Sequence, residues 1–217
     1  METQNGSAAT TSRRAGEVVG TSVAEFEAQA SKLHAAPPIG TLVSVRLDPM
    51  TVYAVVAGSW TDGIDVGARP VLRGRDGCED AQIYQAHPDL EFVLRTCFRS
   101  LVVGFRDGSG RHQYLPPIAV PIHYSVTVCS HDEVERFAAE MHYFRTLLEA
   151  QNAPNEDVIA THIRLVASIS SPPRGPSEYL VRAGREVATL LRDDHQRLRA
   201  ILQRIRPAET SSSSMLA

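Results

Sequence analysis

Apolar positions alternate at short range through the first part of the chain, and from His131 onward they recur about every 3.6 residues. That change of period predicts strands first and helices after. The stretch "GEVVGTSVAEFEAQA" reads as two short strands on either side of Gly20-Thr21-Ser22, although Val23, Glu25, Ala28 and Ala30 alternate imperfectly. A cleaner strand runs from Thr41 to Leu47 and ends at Asp48-Pro49, and "TVYAVVAGSWT" supplies another from β-branched and aromatic residues. Asp62-Gly63 and Asp76-Gly77 mark turns on either side of "IDVGARPVLRG". "SLVVGFRDGSGRHQYLPP" reads as strand, turn and strand about Asp107-Gly108-Ser109-Gly110. Pro116, Pro117 and Pro121 then keep the chain extended until a last strand in "HYSVTVC".

Between these strands, "HPDLEFVLRTCFR" carries helix-start chemistry. Pro88 suits a first helical position and Asp89 and Glu91 suit a first turn, which predicts a helix with Leu90, Val93, Leu94, Cys97 and Phe98 on one apolar face. After His131, "HDEVERFAAEMHYFRTLLEA" predicts one helix with Val134, Phe137, Met141, Phe144 and Leu148 on its buried side. A second starts near Asn155 and presents Val158, Ile159, Ile163 and Val166. A third runs from about Ser177 to Arg206, with Leu180, Gly184, Val187, Leu191, Leu198, Ile201 and Ile205 at heptad-like spacing interrupted by Asp194. The expected fold is α+β: a small antiparallel β-barrel with an inserted short helix, followed by a C-terminal three-helix region. The expected layout is a disordered tail over 1–15, the barrel over 16–130, the helices over 131–206 and a second disordered tail over 207–217.

Composition narrows the class. At 217 residues, with 43% hydrophobic and 22% charged residues, the chain can bury a core of ordinary size. The net charge of −3 gives no global basic field for nucleic acid or an anionic membrane. Three cysteines, far apart and without a CxxC pair, favour a reducing compartment and a cytoplasmic location over a disulfide framework or a structural zinc site. No apolar run is long enough to span a bilayer, so no membrane association is expected.

The same residues bear on catalysis. The single lysine, Lys32, has no glycine-rich loop before it, which excludes a Walker-type phosphate loop. GxSxG and HExxH are absent, and Ser109 is a turn serine with no helix after it. His131, Glu135 and His142 share helical spacing, but His131 and His142 would stand about 16 Å apart along one axis, too far for one ion. Cys97 reads as a small core hydrophobe, with His87 more than two turns away near the cap. The expectation is a non-enzymatic chain with no metal and no cofactor.

Arginine remains as the candidate chemistry. The third helix carries seven arginines against four acids, and Arg182, Arg185, Arg192, Arg197 and Arg199 are the expected partner-binding residues. The same flank also reads as a solvated face with intrahelical pairs such as Glu178 to Arg182. On the barrel, Tyr53, Trp60, Phe105 and Tyr114, with Arg46, Arg106 and Arg111 near them, fit a surface for single-stranded nucleic acid.

The order of motifs "HPDLEFVLRTCFRSLVVGF", "YLPP" and "EYLVRAGREVATLLRDDHQRLRAILQRI", with "GEVVGTSVAEFEAQA" at the start, resembles cyanobacterial stand-alone HAS-barrel domain proteins. The resemblance covers roughly Glu17 to Ile205. It implies a barrel similar to the amino-terminal domain of HerA-type ATPases and of ATP synthase subunits, where the barrel serves ring assembly and docking. No motor domain accompanies it in this sequence, so nucleotide hydrolysis does not carry over and no catalytic residue is transferred. The resemblance therefore implies an assembly or docking adaptor that binds a protein partner or itself. The alternative is a nucleic-acid-binding module using the arginine-rich C-terminal helix and the barrel face.

Overall fold

The computed structural model describes residues 13–65, 71–74, 79–171 and 175–206. The two segments expected as tails fall largely outside the described residues. What is seen of the first shows the barrel already begun, since β1 (Arg14–Thr21) includes a buried Ala15. β1 is followed by β2 (Glu25–Ala30), β3 (Leu42–Arg46) and β4 (Thr51–Gly63). Two short helices, α1 (Asp80–Ala86) and α2 (Leu90–Val93), lie between β4 and the long β5 (Leu94–Asp107). β6 (Gly110–His112) and β7 (Ser125–Val128) complete the strands.

All pairings are antiparallel, in the order β2-β1-β7-β3-β4-β5, and β2 pairs again with β5 to close a six-stranded barrel. β6 continues the sheet beyond β5 as a short flap. Alternation decides the two faces. Val43, Val45, Val52, Ala54, Val56, Phe98, Val102, Phe105 and Val126 fill the interior with Phe26 and Ala28. Leu42, Tyr53, Val55, Leu101 and Val103 point the other way, beneath the helices. Gly104 is required where β6 crosses close: a Cβ there would stand 2.2 Å from the carbonyl oxygen of His112.

The helix predicted over "HPDLEFVLRTCFR" is mostly strand. Its start signals produce only the single turn α2, in which Phe92 and Val93 are exposed, and the chain is extended from Leu94. Tertiary pairing overrides the local signal, because Cys97 and Phe98 are held by β2 on one side and β4 on the other. Cys97 is buried as expected, but in a β-strand. Cys78 and the Asp76-Gly77 turn lie outside the described residues.

The C-terminal layer keeps the predicted buried faces and divides two of the three predicted helices. The first is α3 (His131–Phe137) and α4 (Phe144–Glu149), and Val134, Phe137, Met141, Phe144 and Leu148 are all buried. Gln113 holds the break open: its amide nitrogen donates to the carbonyls of Phe137 at 2.7 Å and Glu140 at 3.1 Å. α5 (Asn155–Ile169) begins where expected and lies centrally in the layer. The predicted helix from Ser177 to Arg206 is α6 (Gly175–Leu190) and α7 (His195–Ile205). Asp194 ends the continuity, because its carboxylate accepts the amide of Arg197 at 3.1 Å and caps a new helix.

Among the described residues no helix is long and apolar enough to cross a membrane. The helix layer docks on the barrel through one close approach. Gly40, with φ of +83°, lies so near α5 that a Cβ would meet the amide nitrogen of His162 at 2.6 Å.

Candidate functional site: an arginine row and an apolar end

The five arginines expected to form one partner surface are dispersed by the break between α6 and α7. Arg182 is half-buried and donates to the carbonyl of Ala139 at 2.7 Å, closing α6 onto the turn between α3 and α4. Arg197 pairs with Glu156 and also donates to the carbonyl of Leu148 at 3.0 Å, fastening α7 to α5 and α4. These two side chains hold the layer together. Arg192 is exposed in the connecting turn and pairs with its neighbour Asp193, while Arg185 and Arg199 are exposed on separate helices. The anticipated pair of Glu178 with Arg182 does not form.

Of the four barrel aromatics, Trp60 and Tyr114 are exposed and the other two are closed to stacking. Tyr53 is buried against Phe137 with ring centroids 4.8 Å apart, and Phe105 is buried inside the barrel. The three barrel arginines, by contrast, are brought together. In the strand register Arg46 faces Thr51, Thr51 faces Arg106, and Arg106 faces Arg111. Directly opposed residues share a face, so these four form one row across β3, β4, β5 and β6 on the outside of the barrel. Two adjoining surface cavities, of about 540 and 470 Å³, share Arg106 and Glu133. Arg46 and the hydroxyl residues Ser44, Ser125 and Thr127 line the first, while Arg111 and Arg136 line the second.

The acids beside this row are already engaged. Glu133 accepts from the backbone amide of Ser130 at 3.0 Å, forming the capping box of α3. Asp107 accepts from the amide and hydroxyl of Ser109 at 2.8 and 2.7 Å, and these bonds, with His112 nearby, hold its carboxyl at about 2. Arg46, Arg106, Arg111 and Arg136 form no ion pair among the described residues.

Ser109, His112 and Asp107 also invite a triad reading, which the geometry rejects. The Ser109 hydroxyl and the Asp107 carboxylate both approach the same ring nitrogen, His112 Nε2, at 3.0 and 3.2 Å. A triad needs serine and carboxylate on opposite ring nitrogens. Here His112 Nδ1 faces the hydroxyl of Tyr114 instead, at 3.1 Å. The cluster is turn chemistry that fixes the β5–β6 hairpin.

The two thiols within the described residues are buried, and burial raises both, Cys129 to about 12. Neither is poised as a thiolate nucleophile near neutral pH. His131, Glu135 and His142 also separate: α3 ends before His142, and Glu135 accepts the backbone amide of Ser171 at 2.7 Å. Among the described residues no group of three or more histidines, cysteines or carboxylates could hold a metal ion.

A further surface was not foreseen from the sequence. Beyond the barrel, at the insertion between β4 and β5, Leu72 is 94% exposed, Phe92 80% and Val71 71%. Ile64 and Val93 are exposed beside them, with the amide of Ile64 bonded to the carbonyl of Val93 at 2.9 Å. Arg73 ties this segment to α2 through Asp89 at 3.1 Å, and Tyr84 of α1 reaches His34 at 2.7 Å. Asp65, Asp80 and Glu91 of the same insertion are also exposed. The sequence signal was an apolar pair, Val71-Leu72, and a Phe92-Val93 pair with no buried face to join.

The molecule is thus a closed antiparallel β-barrel with a helical layer on one flank, an arginine row on its outer wall and an apolar insertion at one end. No protein-family model matches the chain, and no curated protein matches it.

Proposed function

We infer that the protein is a non-enzymatic assembly or docking module whose partner contact is the apolar end formed by the β4–β5 insertion. The observation that carries this reading is the exposure of two apolar pairs, Val71-Leu72 and Phe92-Val93, in one insertion whose parts are tied by the Arg73–Asp89 ion pair, on a fold whose other large apolar side chains are mostly packed. Apolar surface gathered at one place and rimmed by polar groups marks protein contact. The exposed acids of the insertion suit a partner, or a second copy, that presents apolar surface together with basic residues. The resemblance to HAS barrels, which serve docking, points the same way. The contact is thereby assigned to the insertion rather than to the flank of α6 and α7, where Arg182 and Arg197 are internally bound.

Size-exclusion chromatography with light scattering tests this on the full chain, alongside affinity recovery from native extract. Self-association or a stoichiometric partner is expected, and Phe92→Asp together with Leu72→Asp should abolish it while leaving the melting temperature unchanged. A chain that stays monomeric and recovers no stoichiometric partner overturns the reading. So does a complex that is indifferent to both substitutions.

A further inference from the structure

Arg106 stands directly opposite Arg111 in the β5–β6 hairpin and directly opposite Thr51 on its other side, with Arg46 one strand further. Like charges directly opposed on a sheet repel, and neither arginine forms an ion pair among the described residues, although Asp107 and Glu133 lie in the adjoining cavities. Turn chemistry does not demand it, because Ser109, Asp107 and His112 already fix the hairpin. Arg106 also lies between the two adjoining cavities, with Arg136 of α3 across the second. The row faces outward, opposite to Val45, Val52 and Phe105 of the filled interior, and its arginines are exposed. Near the row, burial raises the Tyr53 phenol, Arg106 and Arg111 oppose that rise, and Cys129 and Glu133 add to it.

We propose that Arg46, Arg106 and Arg111, flanked by Arg136, form a binding site for a run of phosphate groups. Guanidinium is the cation of choice for phosphate, since its planar fork meets two oxygens at once. The spacing argues for several phosphates rather than one. From β3 to β6 the row crosses three strand intervals, about 14 Å at ~4.8 Å each, so its ends do not converge on a single anion. Thr51, within the row, and Ser125 and Thr127 at its border add hydroxyl donors to phosphate oxygens. Such a run is carried by a single nucleic-acid strand or by polyphosphate. The site is on the barrel wall and does not depend on the apolar end or on association.

Fluorescence anisotropy of the full chain with a labelled oligothymidylate forms one arm, and calorimetric titration with inorganic tripolyphosphate forms the other. Binding is expected in at least one arm at about 50 mM salt, with log K falling against log salt by roughly 0.7 for each strand phosphate engaged. Arg106→Gln should weaken binding about tenfold and lower that slope by roughly 0.7. Its melting temperature should hold or rise, because the repulsion with Arg111 is gone. Oligothymidylate binding that tripolyphosphate barely displaces assigns the phosphates to a nucleic-acid strand, whereas tight tripolyphosphate binding alone assigns them to polyphosphate. No binding in either arm overturns the proposal. Binding unaffected by Arg106→Gln but lost with Arg185→Gln and Arg199→Gln also overturns it, by placing the contact on the helices.

Discussion

His162 Nδ1 lies 2.7 Å from the carbonyl oxygen of Gly40, a residue 122 positions earlier in the chain. On the other side of the ring, Nε2 meets the hydroxyl of the buried Tyr143, also at 2.7 Å. The carbonyl can only accept, so Nδ1 carries the proton and Nε2 accepts from Tyr143. A neutral imidazole thus joins barrel loop, α5 and the turn before α4 without a water-exposed atom.

Stability should therefore depend on pH through His162. Burial lowers its pKa from an ordinary 6.5 to about 4. Above pH 6.5 the ring is neutral in both folded and unfolded chains and adds no pH dependence. As pH falls from about 6.5 towards 4, the unfolded chain takes up a proton that the folded one refuses, and folding loses up to roughly 3 kcal/mol. Urea denaturation across that window should show the decline. His162→Gln, which keeps a donor and an acceptor, should flatten it. An unchanged slope in that variant would show that other groups govern the acid response.

Gly40→Ala tests the same junction from the barrel side. A Cβ at this position meets the backbone of α5 and forces a left-handed conformation on alanine. A loss of about 2–4 kcal/mol is expected, with increased hydrogen exchange in α5. By contrast, Gly58→Ala, where a Cβ meets nothing within 4 Å, should be nearly silent.

Arg197 and Arg199 are two positions apart and should behave differently. Arg197→Ala breaks the bonds to Glu156 and the Leu148 carbonyl, and chemical denaturation should register a loss of roughly 1–2 kcal/mol. Arg199→Ala, at an exposed position, should stay within about 0.5 kcal/mol. Equal effects would contradict the structural role given to Arg197.

Ser100 is fully buried on β5, and its hydroxyl has no hydrogen-bond partner among the described residues. Replacing it by alanine removes an unsatisfied polar group at little cost in volume. Ser100→Ala should be neutral or stabilising by up to about 1 kcal/mol in thermal denaturation.

The sequence carried much of this architecture, because alternation and helical spacing are local. The strands at β3 and β4, the start of α5, and the buried faces around Phe137, Phe144 and Ile163 could be read directly. The extended conformation of Arg95–Arg99 could not, since it is imposed by β2 and β4 from distant parts of the chain. Gln113, which divides α3 from α4, likewise acts from 24 positions away. For the candidate sites the split is similar. The turn at Asp107-Gly108-Ser109-Gly110 implies that Arg106 and Arg111 are partners, yet the place of Arg46 in their row depends on β4 lying between. The exposed arginines of α6 and α7 would share one flank only on a continuous helix, which the cap at Asp194 divides.

β7 has a further consequence for how the molecule is made. It lies between β1 and β3, which precede it in the chain by more than 100 and by about 80 residues and are not paired with each other. During synthesis both strands therefore wait with an open edge until Ser125–Val128 has emerged to join them. A ribosome-bound or truncated chain ending before β7 would carry two sticky margins at once. Completion of the barrel is thus timed by one of its shortest strands.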